Sequence, residues 1–174
     1  YGAHKASSEA LCSAYLNCYG LKTTSLRFSN VFGPFFYNKG SVVSKMIKDC
    51  YLHGKIYIEG NGLQTRDFLH VDDLTNAAIE IMSIEREDYN RVVTPMQSHI
   101  NIGSGKECTI EELARLIAKL CMYKGKIVFD SKKPDGTMKK LLDNSIIQSL
   151  GWKPQITLED GLNKVIKWYR SNHT

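Results

Sequence analysis

A tyrosine and a lysine four positions apart, Tyr1 and Lys5 in "YGAHK", are residue types able to move a proton. On a helix this spacing puts a phenol and an ammonium on one face, where they can share a site. A phenol ordinarily titrates near about 10, so it acts as a base at neutral pH only if a neighbouring cation holds its anion. Spacing alone does not establish that role, because it recurs at Tyr51 and Lys55 in "YLHGK". There Gly54 falls between the two members, where a helix should stop, and the second pair reads as a helix end with an exposed lysine.

Other reactive residues offer less. Cys12, Cys18, Cys50, Cys108 and Cys121 are odd in number and scattered, without the CxxC spacing of a zinc site or redox pair. They read as reduced cytosolic thiols, mostly buried structural cysteine, and no metal site is expected. The net charge of +5 is spread along the chain, its densest cluster being "SKKPDGTMKK". With no basic run interleaved with aromatics, a modest positive field suits an anionic small molecule such as a nucleotide diphosphate as well as RNA. "IGSGKE" matches neither the Rossmann fingerprint nor a Walker sequence and reads as a turn.

The elements that must position these residues follow from periodicity. Ala6, Ala10, Leu11, Ala14 and Cys18 recur at helical spacing from His4 to Cys18, and Gly20 supplies the stop. "TTSLRFSNVF" reads as a strand entering a loop at Gly33 and Pro34. A second helix is expected over Val42 to Leu52, then two short strands around the turn dipeptide Asn61 and Gly62. Asp72 is expected to cap a helix whose apolar face is Leu74, Ala77, Ala78, Ile81 and Met82. Residues 85–98 read as a long polar loop, and "HINIGSG" as a strand with a glycine turn. Thr109 and Glu112 have capping-box spacing before another helix. "KIVFDS" is a strand, "PDG" a turn, and Thr157 opens a last helix to about Trp168. At 174 residues and 43% apolar, the chain suits a single α/β unit with a real core. It has no apolar run of membrane-spanning length and no secretory leader, so a cytoplasmic location is expected.

Three blocks in order, "YGAHKASSEAL", "LRFSNVFGP" and "RDFLHVDDL", are followed by "INIGSG" and "KPDGTMKKLLDNSIIQSLGW". Together they resemble the C-terminal half of the extended short-chain dehydrogenase/reductase family, the NAD(P)-dependent nucleotide-sugar epimerases and dehydratases. The part after Ile100 is most similar to the GDP-L-fucose synthase branch, the first hundred residues to 4-epimerases and 4,6-dehydratases. The resemblance implies an α/β fold, the C-terminal part of a Rossmann-type fold with a small α/β substrate-binding domain. Residues 1–35 would be the remnant of the Rossmann domain, and 36–174 mainly the substrate-binding region, with 65–84 returning to the Rossmann core.

The resemblance further implies roles. Tyr1 would be the acid/base, and Lys5 would stabilise its phenolate and bind the nicotinamide ribose. Phe28 and Val31 would lie against NAD or NADP, with Asn30 approaching the sugar. Arg66 would clamp the diphosphate, for which a fixed fork of charged donors is suited. Lys139 and Asp143 would reach the nucleotide, while His70 and Asp72 would be structural. The expected partners are a nucleotide-diphosphate sugar and a second copy of the chain, paired through the helix beginning near Tyr1; neither a membrane nor nucleic acid is expected.

Two features depart from the family pattern. The GxxGxxG fingerprint that holds a dinucleotide pyrophosphate is not among these residues, which implies a truncated chain with no turnover of its own when NAD(P) is added. The histidine used for C3/C5 epimerisation in the fucose synthase branch is replaced by Ser41, and His53 lies too far along. A non-catalytic nucleotide-sugar-binding or dimerisation module of the same ancestry is the alternative reading, and an RNA-binding α/β domain, suggested only by charge, is a third.

Overall fold

The computed structural model describes residues 2–21, 23–35, 40–94, 99–133 and 136–173. Helices and short strands alternate in the order α1 (Gly2–Tyr19), β1 (Ser25–Phe28), β2 (Asn30–Phe32), α2 (Val42–Leu52), β3 (Lys55–Glu59), β4 (Thr65–His70), α3 (Val71–Ser83) and α4 (Arg86–Val92). The chain continues through β5 (His99–Ile102), β6 (Glu107–Thr109), α5 (Ile110–Leu120), β7 (Lys126–Asp130), β8 (Lys139–Lys140), α6 (Ser145–Ser149) and α7 (Leu158–His173). This is the α/β alternation that the sequence implies.

Side chains supply the caps that free helix ends require. Ser41 Oγ accepts from the Ser44 N–H to open α2. At α5 the expected capping box forms: Glu112 N–H donates to Thr109 Oγ1 at 3.0 Å, and Thr109 N–H donates to the Glu112 carboxylate at 2.7 Å. At α3 the cap is two residues earlier than expected. His70 Nδ1 accepts from the Asp72 N–H at 3.2 Å, so the imidazole takes the capping role. Asp72 sits in the first turn and accepts from Lys164 Nζ on α7 at 3.1 Å.

Other expectations need correction. The stretch expected to be one strand breaks at Ser29 into β1 and β2. The polar stretch 85–98 contains α4, whose Tyr89 and Val92 pack against the core while the Tyr89 hydroxyl meets Thr24 Oγ1 at 2.5 Å. The last helix runs on to His173. Gly60 and Gly62 form the expected turn with φ of 76° and 75°, a left-handed backbone that glycine adopts without penalty. The strands on either side of it do not pair with each other. β3 runs parallel to β7, with Lys55 opposite Lys126. β4 lies between β2, where Asn30 faces Phe68, and β6, where Thr65 faces Thr109. The short β8 adds to the same half of β4, and β1 pairs with β5. The "PDG" turn falls at Pro134 and Asp135, outside the described residues.

Two apolar cores result. The first joins Met46 and Ile47 of α2, Ile56 and Ile58 of β3, Leu113 and Ile117 of α5, and Leu162 and Ile166 of α7. The second joins Ala77 and Ile81 of α3, Ile100 and Ile102 of β5, Ile147 of α6, and Trp152. β4 belongs to both: successive side chains of a strand face opposite ways, and Phe68 enters the first core while Leu69 enters the second. Gly161 lets α7 sit closely on this region, since a Cβ there would meet Phe32 Cζ at 2.7 Å and His70 Cδ2 at 3.0 Å.

The helix α1 buries no residue, and its expected apolar face stays uncovered, with Leu11 61% and Tyr19 73% exposed. Polar ties hold it instead. Arg27 of β1 grips Glu9 through two donors at 2.6 and 2.5 Å, which holds that carboxylate below its usual range. Thr23 Oγ1 donates to the Cys12 carbonyl at 2.8 Å. The cysteines are less uniformly buried than expected: Cys121 is buried, Cys18 is exposed, the other three are half-buried, and all five are unbridged. No described helix is long and apolar enough to cross a membrane.

Candidate functional site

The chain passes from the carboxyl end of β1, which pairs with β5, into β2, which runs parallel to the second half of β4, with Asn30 beside Phe68; the β4 residue Arg66 and the N-terminal part of α2 border the same opening. A cavity of about 670 Å³ opens where they meet, lined among others by Phe28, Asn30, Val31, Lys45, Glu59, Gln64 and Arg66. Its size is that of a small-molecule site. Four of the eight site residues expected from sequence, Phe28, Asn30, Val31 and Arg66, therefore share one cavity.

Backbone oxygens aim Arg66. Its Nη1 donates to the Thr65 carbonyl at 2.6 Å and to the Thr137 carbonyl at 2.7 Å, and Gly136 leaves room beside Nη2. The guanidinium is half-buried and presents a fixed fork of donors. Asn30 does not bond its own backbone; its Nδ2 donates across to the Asp67 carbonyl at 3.0 Å. Phe28 is 54% exposed at the end of β1, presenting an apolar ring to the opening. Gln64 is 8% exposed and its Oε1 has no hydrogen-bond partner among the described residues. A buried amide oxygen of this kind is costly unless something donates to it.

Asp67, which the sequence reading passed over, fixes the floor. Fully buried, it accepts from Ser104 N–H at 3.1 Å and Ser104 Oγ at 2.5 Å. The "IGSG" turn is thereby fastened directly under β4, and Asn144 Nδ2 completes the hold by donating to the Gly103 carbonyl at 2.9 Å. Gly103 is required there, because a Cβ would come within 2.3 Å of Asp67 Oδ2. The charged neighbour of Arg66 in "RDF" was the only sequence signal, and its partner lies far along the chain.

The remaining expected residues lie elsewhere. Tyr1 is outside the described residues. Lys5 is exposed on α1 and Lys139 and Asp143 are exposed beyond β4; none of the three lines the cavity. Lys139 is drawn to Glu107 at 3.3 Å. The Asp143 carboxylate accepts from the Ser145 N–H at 2.9 Å, a bond that pulls its pKa below the usual range and spends it on opening α6. Ser41, which the resemblance sets in place of the fucose synthase branch's histidine, exchanges a hydrogen bond with Ser44 at 2.8 Å on the cavity wall. Tyr51, of the second Tyr/Lys pair, accepts from Arg170 Nε at 2.6 Å, and Lys55 is exposed beyond Gly54, as a helix end requires.

His70 is 2% exposed and packs edge-on against Phe32. Burial lowers its pKa from the ordinary 6.5, Asp72 and Asp73 opposing and Lys164 adding to the shift. The unfolded chain binds this proton near 6.5 and the folded chain only at lower pH. Stability is therefore full above about pH 6.5 and falls as the pH drops from there toward the folded-state value. His70→Asn keeps an acceptor for the Asp72 N–H but removes the titration. Urea unfolding between pH 7 and 5 is expected to show a shallower loss of stability in the variant; equal slopes would refute the assignment.

The family model described as "NAD dependent epimerase/dehydratase family" matches residues 1–103. The chain belongs to that family. A GDP-L-fucose synthase of Escherichia coli (strain K12) is 38% identical over 99% of this chain and 56% of its own length. Two solved epimerase/dehydratase-like structures superpose closely. The UDP-glucose 4-epimerase of Thermotoga maritima, solved with UDP-glucose, gives a TM-score of 0.84 at 30% identity over 98% of this chain and 53% of its own. The GDP-mannoheptose C4 reductase of Campylobacter jejuni, solved with NADP, gives 0.83 at 29% identity over 98% and 56%. The chain thus spans about half the length of the relatives it matches.

Proposed function

We propose that this chain is the substrate-binding half of an NAD(P)-dependent nucleotide-sugar epimerase, dehydratase or reductase. The observation that carries the reading is the cavity of about 670 Å³ that gathers Asn30, Arg66 and Gln64 in a member of this family. Arg66 clamps the diphosphate, Asn30 approaches the sugar, and the unpartnered Gln64 oxygen accepts from a ligand N–H or O–H. The basic Lys45 on the same wall adds to the attraction for an anion.

Phe28 and Val31, two of the four residues expected at a nicotinamide cofactor, line this cavity and support a cofactor on that side of it. Tyr1, Lys5, Phe28 and Val31 are the groups that would hold it, and the exposed ring of Phe28 offers a flat apolar surface at a strand's carboxyl end. Bound there, the cofactor supplies hydride transfer. The chain's part is to move the proton: Tyr1 takes or returns it at a sugar hydroxyl, and Lys5 lowers the cost of the phenolate by its charge. Ser41 has no imidazole chemistry to offer, which favours reaction at C4 over C3/C5 epimerisation. The Rossmann part in this reading is residues 1–35 together with 65–84, and the rest of 36–174 is the substrate-binding part.

Calorimetric titration with UDP-glucose and GDP-mannose is expected to show binding of at least one of them, with no salt-sensitive binding of RNA. Binding of RNA alone would overturn the proposal. Sedimentation of the same samples addresses the second reading, a homodimer through the uncovered face of α1, which Leu11, Tyr15 and Tyr19 favour; a species at one chain's mass, 19.7 kDa, would count against it.

A further inference from the structure

The cavity has a corner on the far side of Arg66 from Asn30. Gln64 lies just before β4, and its carbonyl accepts from the Ile110 N–H at 3.1 Å, which carries the pairing of β4 with β6 one residue further. Side chains two apart on such a line face the same way. Gln64, Arg66 and Phe68 accordingly all line the cavity, and Asn30 sits beside Phe68. The order along this wall is therefore Asn30, Arg66, Gln64, with about 6.5 Å between the last two positions.

The corner offers acceptors. Gln64 is 8% exposed; its Nε2 donates to the Glu59 carbonyl at 3.4 Å, and its Oε1 is left without a partner among the described residues. Glu59, the last residue of β3, adds an exposed carboxylate on the same wall. Two positions back along β3, Tyr57 also lines the cavity, 45% exposed. A group that donates from two adjacent atoms and carries a flat ring beyond them matches this corner.

We propose, on the nucleotide-sugar reading of the cavity, that Gln64 and Glu59 hold the ribose hydroxyls of the nucleotide and so select ribonucleoside over deoxyribonucleoside diphosphates. With the diphosphate on Arg66 and the sugar toward Asn30, the nucleoside runs the other way, past Gln64. A step of about 6.5 Å from the clamp reaches the ribose, the ring next to the phosphates, and stops short of the base edge. The vicinal diol of ribose supplies two O–H donors: Gln64 Oε1 accepts from one and the Glu59 carboxylate from the other. The base then falls on the Tyr57 ring, where stacking tolerates any base. A nucleotide that lacks the hydroxyl leaves the Gln64 oxygen buried and unpaired.

The test is calorimetric titration of the chain with UDP and GDP and with the 2′-deoxy and 3′-deoxy forms of each. Removal of at least one hydroxyl is expected to weaken binding about tenfold or more, as loss of a bond to a buried acceptor requires. Gln64→Met, which conserves volume at a buried position, is expected to narrow the gap between ribose and deoxyribose forms to about threefold or less. Glu59→Ala provides the same reading at an exposed position should Gln64→Met lose its fold. Deoxy forms that bind as tightly as their parents, or a gap unchanged in both variants, would overturn the ribose assignment while leaving the cavity a nucleotide site. Failure of every one of these nucleotides to bind would overturn the nucleotide-sugar reading itself, and the ribose assignment with it.

Discussion

Arg66→Ala is expected to weaken nucleotide-sugar binding by about 100-fold or more while leaving the chain folded. A guanidinium making two charge-assisted bonds to a diphosphate contributes about 3–5 kcal/mol, and each 1.4 kcal/mol is a factor of about ten in Kd. The folded state loses less. Arg66 is half-buried and its bonds within the chain go to the carbonyls of Thr65 and Thr137, in a stretch where water can replace the donor. Arg66→Lys keeps the charge without the fork and should fall between the two. Calorimetric titration reads the affinity and near-ultraviolet circular dichroism the fold. Unchanged affinity in a folded Arg66→Ala chain would remove Arg66 from the ligand site.

The largest effect on stability is expected from Asp73→Ala. Asp73 is 4% exposed in the first turn of α3, and its two carboxylate oxygens each accept a backbone N–H, from Gln155 at 3.1 Å and Ile156 at 3.0 Å. The carboxylate also lies where the helix dipole favours negative charge. Alanine leaves both N–H groups without their acceptor, at a cost of about 3–5 kcal/mol. That is a large part of the roughly 5–15 kcal/mol that holds a domain together. The bonds end one residue before Thr157, whose Oγ1 accepts from Asp160 N–H at 3.1 Å to open α7, so the seating of that helix depends on them. Urea denaturation measures the loss; an unfolding free energy within about 1 kcal/mol of the unaltered chain would show that the two bonds are dispensable.

Features set by neighbours in sequence were legible from sequence. The Thr109 and Glu112 box needs only residues three apart, and the glycine-rich turn around Asn61 needs only its own backbone. What those strands pair with was not legible, since β3 finds β7 some seventy positions on and no local period encodes a partner. The helix α4 was hidden by its polarity, its order coming from Tyr89 reaching back to Thr24. His70 displaced Asp72 as a cap because its ring is held in place by Phe32 and α7, which the local spacing of carboxylates does not reveal. In the site, Phe28, Asn30, Val31 and Arg66 were legible through block order and do converge. Asp67 and Gln64 were not, because a buried acid or amide is recognised by what faces it. Lys139 and Asp143 carried charge suited to a nucleotide, but Glu107 and the start of α6 claim them first.

The strand β4 places Phe68 in one core and Leu69 in the other, and the same six residues carry Arg66, Asp67 and His70. Disorder in either core strips packing from a strand that the other needs, so the two cannot melt separately. Among the described residues no hinge separates the strand that bears Arg66 from either core. If the cavity holds the proposed ligands, adjustment to different ones must come from side chains and from the loops around the opening, while the spacing between Arg66 and Phe28 stays constant like a ruler.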